Sequence, residues 1–308
     1  MKPVTQENNR LGFVGIGYMG RPIARRLLES GFKLIAYDRD HNKAEELIQH
    51  GGTVAQNVPE LSSSCNVVLS CLPSDEAVLD IYRGTDGVFA HAHRGSAVID
   101  MSTVYPETSQ ELARIGSESG VDVLDVTISG SIPAAEKGWL TLFGGGDQAC
   151  FEAAESIFRV IARKYFLLGP SGSGATMKLV VNTLLGIGMQ AIAEAVALGE
   201  KAGLDRSRLL SVLSETAVVA PAHVGKLASV MKGDYSPQFP IRLMNKDFGL
   251  ILELAATVGA RMPAAGSAFE INARQSEAET EQDFSAVILQ MEKIDRSNAT
   301  DRRMHLGG

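Results

Sequence analysis

The chain has 308 residues, 45% of them hydrophobic and 21% charged, with a net charge of −7. That length allows two domains with real cores, and an acidic balance without blocks of like charge excludes nucleic acid as an expected partner. Cys65, Cys71 and Cys150 lack metal-ligand spacing and the six histidines form no HxxxH or HExxH pattern, so no metal site is expected.

The opening MKPVTQENNR has no apolar h-region, so no signal peptide is read there. Three unpatterned cysteines suit reduced thiols, and a cytoplasmic location is expected. Leu11 to Val14 then reads as a short buried strand that runs directly into Gly15-Ile16-Gly17-Tyr18-Met19-Gly20. Pro22 sits in the first turn of a helical pattern that stops at Gly31, and a second strand, Lys33 to Tyr37, ends in Asp38. A G-x-G-x-x-G with a strand before it, a helix after it and an acid closing the next strand is a dinucleotide fingerprint. Its glycines let the backbone approach a pyrophosphate, which rests on the free N–H groups of the helix start.

Asp38 stands where a carboxylate accepts hydrogen bonds from ribose hydroxyls, which favours NAD. Arg39 beside it has two readings, a solvated turn residue or a guanidinium that holds a 2′-phosphate. NAD is preferred and NADP stays open.

Further strands are expected at Val67 to Leu72, Ala97 to Asp100, Val121 to Asp125, Leu140 to Phe143 and Tyr165 to Leu168. Three end in turn-forming polar residues: Leu72-Pro73-Ser74, Asp100-Met101-Ser102-Thr103, and Asp125-Val126-Thr127-Ile128-Ser129-Gly130-Ser131. Ligands lie beyond the carboxyl ends of the strands in open parallel sheets, so these ends fit one crevice. The expected fold is a doubly wound, mostly parallel α/β sheet of Rossmann type over residues 1–168. An all-α domain over 169–300, built on a long interdomain helix, and a tail over 301–308 follow.

That helix starts after the Gly/Ser-rich turn Gly169 to Gly174 and carries only two charges, Lys178 and Glu194, between Met177 and Leu198. A helix apolar almost all round is expected to be buried on nearly every side. Its uncharged run, Leu179 to Ala193, is shorter than the roughly 20 residues a bilayer requires, so no membrane span is expected. Lys178, Asn182, Gln190 and Glu194 fall in a register of four, so Lys178 and Asn182 project together one turn apart.

Beyond it the pattern is helical only: Leu204 to Thr216, Pro221 to Met231, Phe248 to Val258, Gly266 to Arg274 and Ser285 to Lys293. Lys246, in Asn245-Lys246-Asp247, reads as lying near a helix start, where the dipole disfavours a cation. Two readings follow: a salt bridge with Asp247 or another surface acid, or a second cation facing the crevice.

The ordered set GFVGIGYMGRPIA, CLPS, DMSTVYP, DVTISGS, GPSGSGATMKLVVN and NKDFGL resembles the β-hydroxyacid dehydrogenase family over Leu11 to Met291. This family includes 3-hydroxyisobutyrate dehydrogenase and short-chain semialdehyde reductases. The resemblance implies that Lys178 is the catalytic lysine and that Asn182 helps place it and the substrate. It implies that Ser129 and Gly130 grip a substrate carboxylate, that Leu72 and Pro73 pack on the cofactor, that Thr103 lies by the nicotinamide, and that Lys246 lines a closed cleft. A small anionic carboxylate as substrate and a homodimer or homotetramer are likewise implied.

The family loop usually reads D-x-P-V-S-G-G; here Thr127 replaces the proline, Ile128 the valine and Ser131 the second glycine. Loss of the proline is expected to loosen the loop, and the Ser131 side chain to narrow the pocket or add a hydrogen bond. The function expected is NAD(P)-dependent hydride transfer on a 3-oxo acid or semialdehyde, with Lys178 as general acid and base. The alternatives are an imine reductase on the same scaffold, against which Lys178 counts, and a non-catalytic dinucleotide-binding regulator.

Overall fold

A computed structural model describes residues 2–294. The predicted tail, 301–308, lies outside the described residues. The chain forms two compact units, Met1–Leu179 and Val180–Gly308, so the division falls inside the long helix.

The first unit is an eight-stranded sheet: β1 (Arg10–Val14), β2 (Lys33–Tyr37), β3 (Thr53–Val54), β4 (Val67–Ser70), β5 (Ala97–Asp100), β6 (Asp122–Ser129), β7 (Leu140–Gly145) and β8 (Ala162–Leu167). The order is β3-β2-β1-β4-β5-β6-β7-β8. Strands β1 to β6 are parallel, β7 runs antiparallel to β6, and β8 is parallel to β7. This is the expected doubly wound sheet, with one strand, the two-residue β3, that has no apolar run to announce it.

Successive strand residues face opposite sides of a sheet, and the core follows that period. Leu11, Phe13, Val67, Leu69, Ala97 and Ile99 pack on one side with Ile23, Leu27 and Phe158. Val14, Val68 and Val98 pack on the other with Leu61, Tyr82 and Leu112. Each large apolar side chain removed from water contributes about 1.5–3 kcal/mol, so both faces need their helices.

One strand is longer than its sequence suggests. Asp125 pairs with Asp100, the last residue of β5, yet β6 continues through Val126 to Ser129. At about 3.3 Å per residue this carries Ser129 roughly 13 Å past the end of β5. The extension is a strand rather than the expected loop because β7 returns beside it, from Ser129 opposite Thr141 to Asp125 opposite Gly145. The chain then passes through β8 and enters the long helix, Ser173–Lys201.

The second unit is all-helical apart from an isolated bridge between Pro240 and Asp283, among the described residues. Besides the rest of the long helix it holds helices Arg206–Ser214, Pro221–Met231, Ile241–Val258 and Pro263–Ala273. Gly186 and Gly188 let two of them approach closely. A Cβ on Gly186 would stand 2.4 Å from the Phe248 ring, and one on Gly188 2.6 Å from His223.

Two expectations are corrected here. The long helix is long and apolar enough, by length and composition, to cross a membrane, but it is not covered all round. Asn182, Met189, Gln190, Ala193 and Val196 are buried, whereas Val180, Leu184 and Leu198 are 51%, 71% and 72% exposed. Lys246 does not sit at a helix start either. Its helix begins at Ile241 after Pro240, so Lys246 lies in the second turn, clear of the dipole's positive end.

Candidate active site

The glycine turn divides its three glycines between two jobs. Gly15 has φ +91°, and a Cβ there would stand 2.4 Å from the Cys71 carbonyl oxygen; one on Gly20 would stand 1.9 Å from the Gly15 oxygen. Both glycines are therefore required by the protein's own packing. Gly17 is different, because a Cβ there would meet no atom within 4 Å. Its bare backbone faces open space, the cradle a pyrophosphate needs.

The helix that follows, Gly20–Glu29, has no side-chain cap from Met19 and no acid in its first turn to repel an anion; the Arg21 and Ile23 N–H groups donate to the Gly17 and Met19 carbonyl oxygens. Ile16 is buried, Met19 half-buried and Tyr18 exposed. Ile16 donates its backbone N–H to Asp38 Oδ2 at 2.8 Å, while Oδ1 accepts from Asp40 N at 2.9 Å. The acid at the end of β2 is thus locked against the glycine turn, and Arg39 beside it is exposed. These residues fit a dinucleotide.

The ends of β4 and β5 are joined by a buried network. Tyr82 donates to Ser70 Oγ at 2.6 Å, and Ser70 and Ser102 each donate to Asp100 Oδ1 at 2.6 Å. Ser102 Oγ in turn accepts the N–H of Leu72 at 2.8 Å. Burial pushes the Asp100 carboxyl above its ordinary range and the Tyr82 phenol well above its own. The network holds half-buried Leu72 and Thr103 and exposed Pro73 at neighbouring strand ends. Sequence reading missed it because Ser70, Tyr82 and Asp100 carry no fixed spacing.

At the end of β6, Ser129 is half-buried and Gly130 has φ +146°, where a Cβ would also press within 2.7 Å of Leu140. Ser131 is exposed and precedes the short helix Ile132–Lys137 without capping it through its side chain. Its backbone oxygen accepts from Ala135 at 3.0 Å.

The start of the long helix is tied to the same strand. Asp125 Oδ1 accepts from Gly172 N and Oδ2 from Ala175 N, both at 2.9 Å. Burial raises the Asp125 carboxyl to about 6. Thr127 Oγ1 donates to the Gly174 oxygen at 2.8 Å. Thr127 is 1% exposed and paired within the sheet, so it fastens the segment that loss of a proline was expected to loosen. Lys178 follows in the second turn of the helix, half-buried.

In the second unit, Asn182 is 1% exposed and donates from Nδ2 to Asp247 Oδ2 at 2.5 Å. Lys246 Nζ lies 2.8 Å from Asp247 Oδ1, an ion pair. Asn182 Oδ1 is buried without a partner. Asp247 was read from sequence only as a partner for Lys246; its bond to Asn182 spans 65 residues and has no local signature. Among the described residues no group of three His, Cys, Asp or Glu could hold a metal ion.

Residues 10–169 match the family described as the NAD binding domain of 6-phosphogluconate dehydrogenase. Residues 172–291 match the one described as the NAD-binding domain of NADP-dependent 3-hydroxyisobutyrate dehydrogenase. The chain belongs to the β-hydroxyacid dehydrogenase family. Glyoxylate/succinic semialdehyde reductase 1 of Arabidopsis thaliana is 36% identical over 279 residues, spanning 90% of this chain and 96% of that protein. The 2-(hydroxymethyl)glutarate dehydrogenase of Eubacterium barkeri is 29% identical over 94% of this chain and 97% of its own. A solved 3-hydroxyisobutyrate dehydrogenase from Mycobacterium tuberculosis, with L-serine, superposes with TM-score 0.80 at 30% identity, covering 92% of this chain and 99% of that one. This β-hydroxyacid dehydrogenase is accordingly an oxidoreductase of CH–OH groups that uses NAD or NADP.

Proposed function

We propose that the protein interconverts a short oxo acid or semialdehyde and its hydroxy acid, with Lys178 as the general acid and base. The observation that carries this reading is the tie between β6 and the long helix, which puts the Ser129–Gly130 turn and Lys178 on elements joined by three hydrogen bonds. The glycine turn, Asp38, Arg39, Leu72, Pro73 and Thr103 would hold the dinucleotide, which when bound supplies or accepts a hydride.

Ser129, Gly130 and Ser131 offer a hydroxyl, a bare backbone and a second hydroxyl to a carboxylate, fixing the substrate by its acid end. The Lys178 ammonium gives a proton to the nascent alkoxide oxygen during reduction, and the neutral amine takes it back during oxidation. Asn182, one turn along the same helix, has an amide fixed by Asp247, so its orientation is set before any substrate arrives. Lys246 supplies a second cation toward the anionic substrate and the cofactor. The reading includes a cytoplasmic location, self-association, and neither nucleic acid nor membrane as partner.

The test is turnover of NADH and NADPH with a panel of glyoxylate, succinic semialdehyde and cyclic imines, and of NAD+ and NADP+ with 3-hydroxyisobutyrate. An oxo acid or hydroxy acid should be turned over and the imines left. Lys178→Met keeps the side chain's bulk without its proton; it should lower kcat by roughly 100-fold or more at unchanged NADH affinity. Turnover of imines alone, or a fully active Lys178→Met enzyme, overturns the reading.

A further inference from the structure

We propose that Thr127 and Asp125 are positioning residues whose hydrogen bonds set where Lys178 stands relative to the Ser129–Gly130 turn. The inference rests on the function proposed above and adds to it the device that aligns the two groups.

Asp125, Thr127 and Ser129 alternate along β6, so their side chains share one face of the sheet. The first of them takes two N–H groups of the helix start, and the second donates to the carbonyl of Gly174. Gly174 and Lys178 are four residues apart and lie on one helix face. By α-helix geometry the Gly174 carbonyl is also the acceptor for the backbone N–H of Lys178. Thr127 therefore bonds to the very peptide on which the Lys178 turn is hung. One further step along each element, about 6.6 Å for two strand residues and about 6 Å for a helical turn, leads from the Thr127–Gly174 contact to Ser129 and Lys178.

The approach is close enough to transmit position. A Cβ on Gly174 would lie 2.4 Å from the carbonyl oxygens of both Asp125 and Phe143, and one on Gly145 2.6 Å from Asp125 Oδ1. Only bare backbone fits there, so the helix start bears directly on β6 and β7. A proline at position 127 has no hydroxyl to give, so this chain secures by a side-chain bond what ring stiffness would otherwise supply.

The test compares Thr127→Val, which keeps the shape without the hydroxyl, with Thr127→Ser, which keeps the hydroxyl. Three quantities are read: NADH binding by fluorescence titration, turnover of glyoxylate or succinic semialdehyde per NADH-binding site, and amide hydrogen exchange at residues 175–178. Thr127→Val should lower kcat per site by about 5- to 50-fold, with KM for the oxo acid and Kd for NADH within about twofold. Exchange of the 175–178 amides should quicken about tenfold, and Thr127→Ser should restore both to within about twofold. If Thr127→Val does not fold, Thr127→Ala removes the hydroxyl without forcing a methyl into its place. Wild-type turnover per site, a loss that merely follows the number of NADH sites, unchanged exchange, or no rescue by serine each overturns the proposal. An active Lys178→Met enzyme sinks the functional reading itself; normal Thr127→Val turnover beside an inactive Lys178→Met sinks only the alignment.

Discussion

Asp38 shows how much a single carboxylate can be asked to do. Both of its oxygens are engaged by backbone N–H groups, from Ile16 and Asp40, so it cannot swing away from a ligand. A 2′-phosphate brought to the end of β2 would meet that fixed negative charge, and like charges so placed cost several kcal/mol. Arg39 is exposed, so its guanidinium meets any such phosphate from the solvent side. Asp38→Asn should therefore raise the ratio of kcat/KM for NADPH over NADH by roughly tenfold or more. Steady-state kinetics with the two cofactors measure it, and an unmoved ratio would clear Asp38 of the discrimination. This residue was legible in the sequence because strand length and helix length fix the distance from Gly20. The Ser70–Tyr82–Asp100–Ser102 network was not, since its members meet only when two strands and a helix are packed.

At the scale of elements, the joint between β6 and the long helix carries a titration. The Asp125 carboxyl rises to about 6 from its ordinary value near 3.8, first through burial; its own hydrogen bonds oppose the rise, and the neighbouring charge of Asp100 adds to it. Between those two values the folded chain holds a proton that the unfolded chain has released, so stability falls as pH rises through the window. Wild type should lose of order 2–3 kcal/mol relative to Asp125→Asn between about pH 4 and pH 6.5. Urea unfolding of both proteins at a series of pH values reads the difference, and other acids cancel in the comparison. Parallel curves would mean that the carboxyl titrates alike in both states.

Elements also show where patterns mislead. The TISG run looked like turn chemistry because hydroxyls and glycine favour turns, but pairing with β7 makes residues up to Ser129 a strand. The helix Ile241–Val258 starts seven residues before the amphipathic run that begins at Phe248. Pro240 alone marks the true beginning. The buried strands, by contrast, announced themselves as apolar runs between glycines and turns, and five of the seven expected in the first unit lie within two residues of the ends seen.

At the scale of the molecule, the sheet and the helical second unit followed from strand–helix alternation and its cessation near residue 170. What composition could not tell was how the apolar residues of the long helix are shared between interior and surface. Val180, Leu184 and Leu198 remain outward-facing in the single chain, which supports the self-association included in the proposed reading. Light scattering should give a mass that is a multiple of 32.8 kDa, and Leu184→Glu should shift it toward one chain; a wild-type mass of one chain would refute assembly.

The boundary between the two units falls just after Lys178. In the proposed reading the proton donor, the acid-gripping turn and the nucleotide cradle are thus inherited as one block, within the first 179 residues. Asn182, Lys246 and Asp247 belong to the other block. A substitution confined to the helical block then leaves the alignment of the reacting amine with the acid-gripping turn untouched.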